Sequence, residues 1–300
     1  MTYSPIALFV YNRPAHTRQT VTALQKSGLA AKSDLFVFSD APKTPEAAAA
    51  VRQVRDYIRT IDGFRTLTII ERRENYGLAL SIIDGVTKLT EERSRVIVLE
   101  DDLITSPYFL EYMNTALSRY ESEDRVMQIS GYMFPVRPEI KEDALFLPFV
   151  TSWGWATWGR AWRYFDRAEE NFSQILGDAK TRMQFDLNGH YKYSKILQAQ
   201  QEKKVDSWAI FWYVSVFMRK GLSLFPKRTF VKNLGFDGTG VNCAVRKLDQ
   251  EELDLEYRAV ILPDVIDVSE EADNVMNHIP VTRVSFAAIF NRLARIGGIK

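Results

Sequence analysis

The stretch VIVLEDD at residues 96–102, with LITSPYF behind it at residues 103–109, decides the predicted fold of this chain. Four apolar residues that favour β structure run straight into three consecutive carboxylates, Glu100, Asp101 and Asp102. The serine and proline that follow suit the first positions of a helix. The pattern therefore predicts a buried parallel strand that ends at three acidic side chains.

Three adjacent carboxylates at the end of a strand repel one another unless a cation lies beside them. Mg²⁺ and Mn²⁺ prefer oxygen ligands of this kind, and such a cation at a strand end would hold a diphosphate. The alternative is an acidic turn whose charges only stabilise the N-terminus of the next helix. We favour the metal site because polar residues also follow the other predicted strands.

The first 120 residues alternate between the two secondary-structure patterns. Strands are predicted at residues 6–11, 35–38, 67–70 and 96–99. Helices are predicted at residues 15–27, 44–61, 78–90 and 108–120. Strands separated by helices of this length form right-handed βαβ units. We therefore predict an α/β fold of the Rossmann-like kind, a mainly parallel sheet flanked by helices.

Polar residues gather directly after each of these four strands. They are Asn12 and Arg13, then Ser39 and Asp40, then Arg72, Asn75 and Gly77, and finally the three acids. Open α/β sheets bind ligands at this edge, so the sequence predicts a nucleotide-binding crevice. The chain has no GxGxxG after its first strand and no GxxxxGK[ST], which disfavours a dinucleotide-binding domain and a P-loop NTPase.

Composition excludes several other classes of protein. The net charge is +1 with both signs mixed along the chain, which argues against a nucleic-acid-binding protein. Cys243 is the single cysteine and the three histidines are dispersed, so neither a disulfide nor a clustered histidine site is expected. No segment has the pattern of a signal peptide or a membrane span. We expect a cytoplasmic protein.

All six tryptophans lie between Trp153 and Trp212, and four of them fall in TSWGWATWGRAW. They could be core aromatics. Indole faces also pack well against sugar rings, and glycines interrupt this segment, so we favour a sugar-facing wall in which one or two tryptophans belong to the core.

Asp206 lies in the segment VDSW, just before a strongly apolar helix predicted at residues 208–219. One interpretation is the N-cap of that helix, a position that either Asp206 or Ser207 suits. The other is a general base, because a carboxylate among aromatic side chains can have a raised pKa. The two interpretations do not exclude each other.

Asp237 lies between glycines in GFDGTG, within a polar segment predicted to be a loop. A surface turn is one interpretation. A mobile loop that closes over a bound ligand is the alternative, because glycines permit the backbone changes that a lid needs.

Over residues 4–243 the chain resembles the GT-A glycosyltransferases, and most of all bacterial sugar transferases related to N-acetylglucosaminyltransferase I. The resemblance rests on three motifs in this order: EDD at residues 100–102, the glycine–tryptophan pair Gly154 and Trp155, and the D-x-W segment that begins at Asp206. It implies that Asp102 binds the metal and that Asp206 is the catalytic base of an inverting enzyme.

The resemblance also implies a set of donor-binding residues. In it, Glu100 and Asp101 contact the ribose and the donor sugar, and Trp155 lines the donor and acceptor site. Nucleobase and diphosphate contacts are expected from Arg13 and Asp40, and contacts to the nucleoside from Asn75 and Gly77. Apart from the resemblance, Ser81 and Asp237 are further candidates for binding the donor.

These expectations describe a metal-dependent inverting hexosyl- or N-acetylhexosaminyltransferase. Its cofactor would be Mn²⁺ or Mg²⁺, its donor a nucleoside-diphosphate sugar (UDP-sugar favoured), and its acceptor a glycan or a lipid-linked hydroxyl in bacterial surface polysaccharide or glycoconjugate synthesis. A sugar-nucleotidyltransferase is the first alternative, although it needs a glycine-rich loop after the first strand, where YNRPAHTR has no glycine. A catalytically silent sugar-nucleotide-binding protein of the same fold is the second.

The predicted domain organisation has two parts. Residues 1–243 form the catalytic domain, and residues 244–300 form an extension that packs on it. An amphipathic helix with three arginines is expected at residues 281–296. We expect this helix to dock on the domain, with peripheral contact to the inner face of the plasma membrane as the open alternative.

Overall fold

The computed structural model describes residues 3–237 and 252–278. The strands in this part of the chain are β1 (Ile6–Val10), β2 (Asp34–Ser39), β3 (Thr66–Glu71), β4 (Arg95–Glu100), β5 (Leu103–Thr105), β6 (Val126–Ser130), β7 (Ala144–Leu147), β8 (Trp155–Trp158), β9 (Leu222–Pro226) and β10 (Val231–Asn233). The helices are α1 (Pro14–Gln25), α2 (Ala48–Ile58), α3 (Gly77–Arg93), α4 (Phe109–Arg119), α5 (Gly159–Trp162), α6 (Glu169–Gly177), α7 (Ala179–Phe185), α8 (Tyr193–Gln201), α9 (Trp208–Met218) and α10 (Glu270–Asn277).

Eight strands form the central sheet, in the order β3-β2-β1-β4-β8-β6-β9-β7. The first four of these are parallel to one another, and β6 and β9 are also parallel. The predicted α/β architecture with a mainly parallel sheet is therefore confirmed, as is the alternation of strands and helices in the first 120 residues.

The sheet is buried because apolar helices cover both of its faces. Every residue of β1 and β2 is buried, as expected for parallel strands inside an α/β sheet. Apolar residues of α3 and α9 pack with Val98 on one face, and those of α1, α2 and α4 pack with Leu99 on the other. Side chains alternate along β4, so Glu100 shares the face of Val98.

Strand β8 was not predicted, and it joins the parallel strands β3, β2, β1 and β4 to the second half of the sheet. It lies antiparallel between β4 and β6, with Val98 opposite Trp155 and Ser130 opposite Trp155 on the other side. Because it is antiparallel, β8 begins at the edge where β4 and β6 end. Residues just before Trp155 therefore lie at the same edge of the sheet as the three acids.

A second, two-stranded sheet lies next to this edge. β5 follows the acids directly and pairs antiparallel with β10, with Leu103 opposite Asn233. The backbone N–H of Leu234 donates to the carbonyl of Asp102 at 2.8 Å. This pairing brings the first part of the polar segment after residue 231 to the end of β4.

The described part of the C-terminal segment, residues 252–278, packs on the sheet domain. Tyr257 stacks on Phe230 with 5.0 Å between ring centroids. The carboxylate of Asp143 accepts backbone hydrogen bonds from Val260 and Ile261, each at 2.8 Å. The proposed boundary at residue 243 and the helix predicted at residues 281–296 lie outside the described residues. Among those described, no helix is both long and apolar enough to cross a membrane.

Candidate active site

The C-terminal ends of β1, β2 and β4 lie side by side. Val10 is opposite Ser39, and Phe9 is opposite Glu100. The residues that follow these strands therefore share one edge, as the sequence predicted. They fall into two groups, one around the carboxylates of Asp101 and Asp102 and one around the carboxylate of Asp40.

The guanidinium of Arg13 bridges the carboxylates of the first group. Its Nη2 donates to Asp101 Oδ1, and its Nη1 lies 3.0 Å from Asp102 Oδ2. Arg13 occupies the N-cap position of α1, directly after β1, so its place is set by the end of a central strand. Backbone bonds fix Asp101 as well, because the Tyr11 N–H donates to its carboxylate at 3.3 Å and the Thr20 hydroxyl donates to its carbonyl at 2.9 Å.

The pKa values of the acids at this site are shifted by burial and by the charge of Arg13. Burial, with smaller contributions from the Asp102 and Asp101 carboxylates, raises the pKa of Glu100 to about 8. Burial also raises the pKa of Asp101 to about 6, against the opposing effect of Arg13. Burial lowers the pKa of Arg13, but the charges of Asp101 and Asp102 outweigh it and raise that pKa above its usual range. The raised pKa of Glu100 and the positive charge of Arg13 both reduce the mutual repulsion of the three acids.

The carboxylate of Asp102 is also in contact with the segment after β10. A side chain at Gly235 would bring its Cβ within 2.2 Å of Asp102 Oδ2, so only glycine fits there without displacement. Two residues further on, the Asp237 carboxylate lies 3.1 Å from His16 Nε2 on α1. Asp237 is thus brought to the same site as Arg13, whereas the part of the predicted loop after Asp237 lies outside the described residues.

The donor set fits a divalent cation only in part. Among the described residues, no three His, Cys, Asp or Glu side chains are placed to hold a metal ion together. Mg²⁺ is commonly bound by one or two carboxylates with the remaining positions taken by water and substrate phosphates. Asp102 suits that role because its oxygens are hard ligands at the end of a strand, and the Arg13 guanidinium that pairs with it here could turn to the phosphates. The residues therefore fit a cation that arrives with a diphosphate.

Asp40 forms the centre of the second group, and its hydrogen bonds lie within the protein. Its Oδ1 accepts from the N–H groups of Ala41 and Tyr76, each at 2.9 Å. Its Oδ2 accepts from the Gly77 N–H at 2.9 Å and from the Asn75 amide at 3.1 Å. These bonds tie the end of β2 to the start of α3. The structure therefore brings the predicted residues Asp40, Asn75 and Gly77 together, with Asp40 holding the loop.

Ser81 lies on α3 and is buried. Asp40 and Asp101 are buried to a similar degree, so the expected contact of Ser81 with a nucleoside stays a prediction. Gly77, by contrast, begins α3 with φ of +71°, a left-handed conformation that favours glycine, and its Cα has open space around it.

The expected sugar-facing wall is wrong for most of the tryptophans, including Trp155. Trp155 is 1% exposed and stacks on Trp208 with 5.1 Å between ring centroids. Of the six tryptophans, all in the described part of the chain, five are buried in this way. Several buried indole N–H groups bond inside the core, such as Trp212 to Gln128 at 2.8 Å. Trp153 alone among the six is half-buried.

Asp206 lies in an exposed turn between α8 and α9. The N-cap of α9 is Ser207, which makes no capping bond through its side chain, so the capping interpretation of Asp206 is not supported. The stack of Trp208 on Trp155 sets the start of α9 against β8, on the sheet face that carries Glu100. Asp206 is therefore near the edge that carries the acids, without direct contact to them among the described residues.

Sequence reasoning missed three residues of the site. His16 was considered only as one of three dispersed histidines, yet it pairs with Asp237. Gly235 was not distinguished from the other glycines, although it packs on Asp102. Trp153 was not separated from the buried tryptophans, and no local signal in the sequence distinguishes it, because Trp158 also precedes a glycine.

Comparisons with known proteins give limited similarity. No protein-family model matches the sequence, and no curated protein matches it either. The structure is similar to that of the mannosyltransferase PcManGT from Pyrobaculum calidifontis in complex with GDP-Man and Mn²⁺, at 18% identity over 43% of this chain and 36% of that chain, with a TM-score of 0.29.

Two further solved structures are similar over more of the chain. Mouse xyloside xylosyltransferase 1 in its apo form is 12% identical, over 72% of this chain and 82% of that one, with a TM-score of 0.39. TarS from S. aureus is 11% identical, over 76% of this chain, with a TM-score of 0.41. The chain thus spans about a third (36%) of the length of the mannosyltransferase and of TarS.

Proposed function

We propose that this protein is a glycosyltransferase that uses a nucleoside-diphosphate sugar as its donor. The observation that carries the proposal is the group formed by Arg13, Asp101 and Asp102 at the C-terminal edge of a parallel sheet. That edge is where open α/β sheets bind ligands, and a guanidinium beside a cation-binding carboxylate suits a diphosphate. The similarity of EDD, the tryptophan segment and VDSW to GT-A glycosyltransferases supports the proposed reaction class.

In this proposal the donor lies along the edge from β3 to β4. Its nucleoside lies against the loop that Asp40 holds together, with Asn75 and Gly77 at the surface of that loop. Its diphosphate lies at Arg13 and Asp102. A divalent cation bound at Asp102, Mn²⁺ or Mg²⁺, would neutralise the charge that develops on the departing diphosphate. Glu100 and Asp101 would contact the ribose and the donor sugar.

Asp206 is proposed as the general base of an inverting reaction. Its carboxylate would take the proton from the acceptor hydroxyl as that hydroxyl attacks the anomeric carbon, so no covalent intermediate is needed. The support is its place at the start of α9, on the sheet face that carries Glu100, and the match of VDSW to the D-x-W segment. We further propose a hexosyl or N-acetylhexosaminyl donor carried by UDP, and a role in bacterial surface polysaccharide or glycoconjugate synthesis.

A thermal-shift screen of nucleotide sugars tests the donor assignment, with each compound measured with and without Mn²⁺. A ligand that binds only the folded protein raises its melting temperature. We expect at least one nucleotide sugar to stabilise the wild type only when Mn²⁺ is present, and Asp102→Asn to lose that shift. Asp56→Asn, which changes an exposed carboxylate on α2, is the control and should keep it. Stabilisation that is unchanged in Asp102→Asn would contradict the metal assignment.

A further inference from the structure

Four aromatic side chains form a cluster beside the candidate active site, which we call the aromatic platform: Trp153, Tyr132, Phe134 and Phe236. Trp153 lies 4.4 Å from Tyr132 and 5.5 Å from Phe236, measured between ring centroids. Tyr132 in turn lies 5.2 Å from Phe134. Trp153, Phe134 and Phe236 are half-buried, so the platform keeps aromatic surface outside the core.

Two short connections place the platform next to the acids. Trp153 precedes Gly154, where a Cβ would lie 3.4 Å from the side chain of Leu99, the residue before Glu100. Phe236 follows Gly235, which packs directly on the carboxylate of Asp102. Trp153 and Phe236 therefore each adjoin a glycine that packs against a residue at the end of β4.

The order of strands shows which part of a substrate meets the platform. The loops proposed for the nucleoside follow β1, β2 and β3, on one side of β4. Trp153 precedes β8 and Tyr132 follows β6, and both of these strands lie on the other side of β4. Along the edge, the platform thus comes after the diphosphate position, on the side away from the nucleoside.

We propose that the aromatic platform binds a sugar ring of the acceptor by stacking. This inference rests on the proposed function, because that function fixes where the donor lies. The donor is held by its diphosphate at Arg13 and Asp102, whereas an acceptor glycan has no such charged handle. The apolar faces of its sugar rings suit aromatic surfaces, and the half-buried indole of Trp153 provides the largest face. A ring held there keeps the acceptor hydroxyl close to the donor sugar.

Tryptophan fluorescence gives a direct test on the full chain. Five of the six indoles are buried, so acrylamide should quench mainly the emission of Trp153. The ligands are methyl glycosides of glucose, galactose, mannose and N-acetylglucosamine, each added to protein saturated with Mg²⁺ and UDP or GDP. We expect at least one glycoside to protect the emission from acrylamide. The quenchable component itself should disappear in Trp153→Leu.

Variants separate stacking from general packing. Glycoside affinity, measured by saturation-transfer NMR, should fall in Trp153→Leu by about two- to tenfold, the size expected for one lost aromatic contact. Trp153→Tyr keeps a flat ring and should retain most of the affinity. Tyr57→Leu removes a half-buried aromatic side chain from α2 and should leave the affinity unchanged.

Three outcomes would overturn the inference. The first is that no glycoside protects Trp153. The second is that only an intact nucleotide sugar protects it, which would assign the platform to the donor sugar. The third is that glycosides bind Trp153→Leu as well as the wild type. Hydrolysis of the donor in the absence of any glycoside tests the transferase proposal separately. If a glycoside protects Trp153 but no donor is hydrolysed, the result supports acceptor binding at the platform and contradicts the transferase proposal. If a donor is hydrolysed but no glycoside protects Trp153, the result supports the transferase proposal and contradicts acceptor binding at the platform.

Discussion

Arg13 and Asp102 face each other across the ends of two neighbouring strands, with 3.0 Å between Arg13 Nη1 and Asp102 Oδ2. The same guanidinium also contacts Asp101. It therefore supplies the cation that the three adjacent acids require in the absence of a metal. A divalent ion that binds at Asp102 has to compete with this ion pair, and a diphosphate offers Arg13 an alternative anionic partner.

The competition predicts that removing Arg13 strengthens metal binding when no donor is present. In Arg13→Gln, the affinity for Mn²⁺ should rise by about tenfold or more, because a positive charge at contact distance is lost from a partly buried site. Electron paramagnetic resonance of free Mn²⁺ measures this affinity. Arg18→Gln is the matched control, because Arg18 lies on the same helix but stacks over Tyr57. Weaker or unchanged Mn²⁺ binding in Arg13→Gln would show that Arg13 does not compete with the metal.

Asp40 is predicted to act through the loop that it holds. Asp40→Asn replaces one acceptor oxygen by an amide group that faces backbone N–H donors, so the free energy of unfolding should fall by about 1–3 kcal/mol. Affinity for the donor should fall as well, while kcat at saturating donor changes less. Urea unfolding and a donor titration measure the two effects, with Asp56→Asn as the exposed control. Full stability in Asp40→Asn would show that these backbone bonds are dispensable.

Asp206→Asn separates catalysis from binding. If Asp206 is the base, turnover should fall by about 10²–10⁴-fold, because the amide keeps the shape but cannot accept the proton. Donor affinity and melting temperature should remain near those of the wild type, since the N-cap of α9 is Ser207. Glu202→Gln, at the C-cap of the preceding helix, is the control and should retain its activity. An Asp206→Asn enzyme that keeps most of its transfer activity requires a different base.

Asp34 is predicted to stabilise the fold in a pH-dependent way. Hydrogen bonds from Arg65, mainly, and from Thr66 hold the pKa of Asp34 below its usual value, although burial opposes them. The unfolded chain then binds the proton more readily, so this contribution is present above about pH 4, the ordinary pKa of aspartate, and is lost as the pH falls below it. Urea unfolding between neutral and acidic pH should therefore show a gap between wild type and Asp34→Asn that closes on the acid side. A gap that is constant with pH would exclude the ionised carboxylate as its cause.

Much of the half of the sheet from β3 to β4 could be predicted from the sequence, because its signals are local. The strand at β4 is a run of apolar residues that ends in acids, and the position of Arg13 follows from the end of β1. The contact between Asp102 and Gly235 joins segments that are distant in the chain. It depends on the pairing of β5 with β10, two strands of three residues each that carry no clear periodicity.

For the tryptophan segment, by contrast, the sequence could not predict which side chains are buried. Trp155–Trp158 is buried on both sides of a central strand, so its side chains show no alternation between apolar and polar residues. An unbroken group of indoles is equally consistent with a core and with a ligand wall. Only the packing of α9 on β8 decides that Trp155 is internal and that Trp153 stays near the surface.

The central claim is that the edge at Asp102 binds and activates a nucleoside-diphosphate sugar. The most direct test is the release of nucleoside diphosphate from a panel of nucleotide sugars, because transferases also pass the donor sugar to water when no acceptor is present. We expect release from at least one donor with Mn²⁺ or Mg²⁺, and a loss of at least about a hundredfold both in excess chelator and in Asp102→Asn. No release from any donor by the wild-type protein, or equal release by Asp102→Asn, would contradict the account.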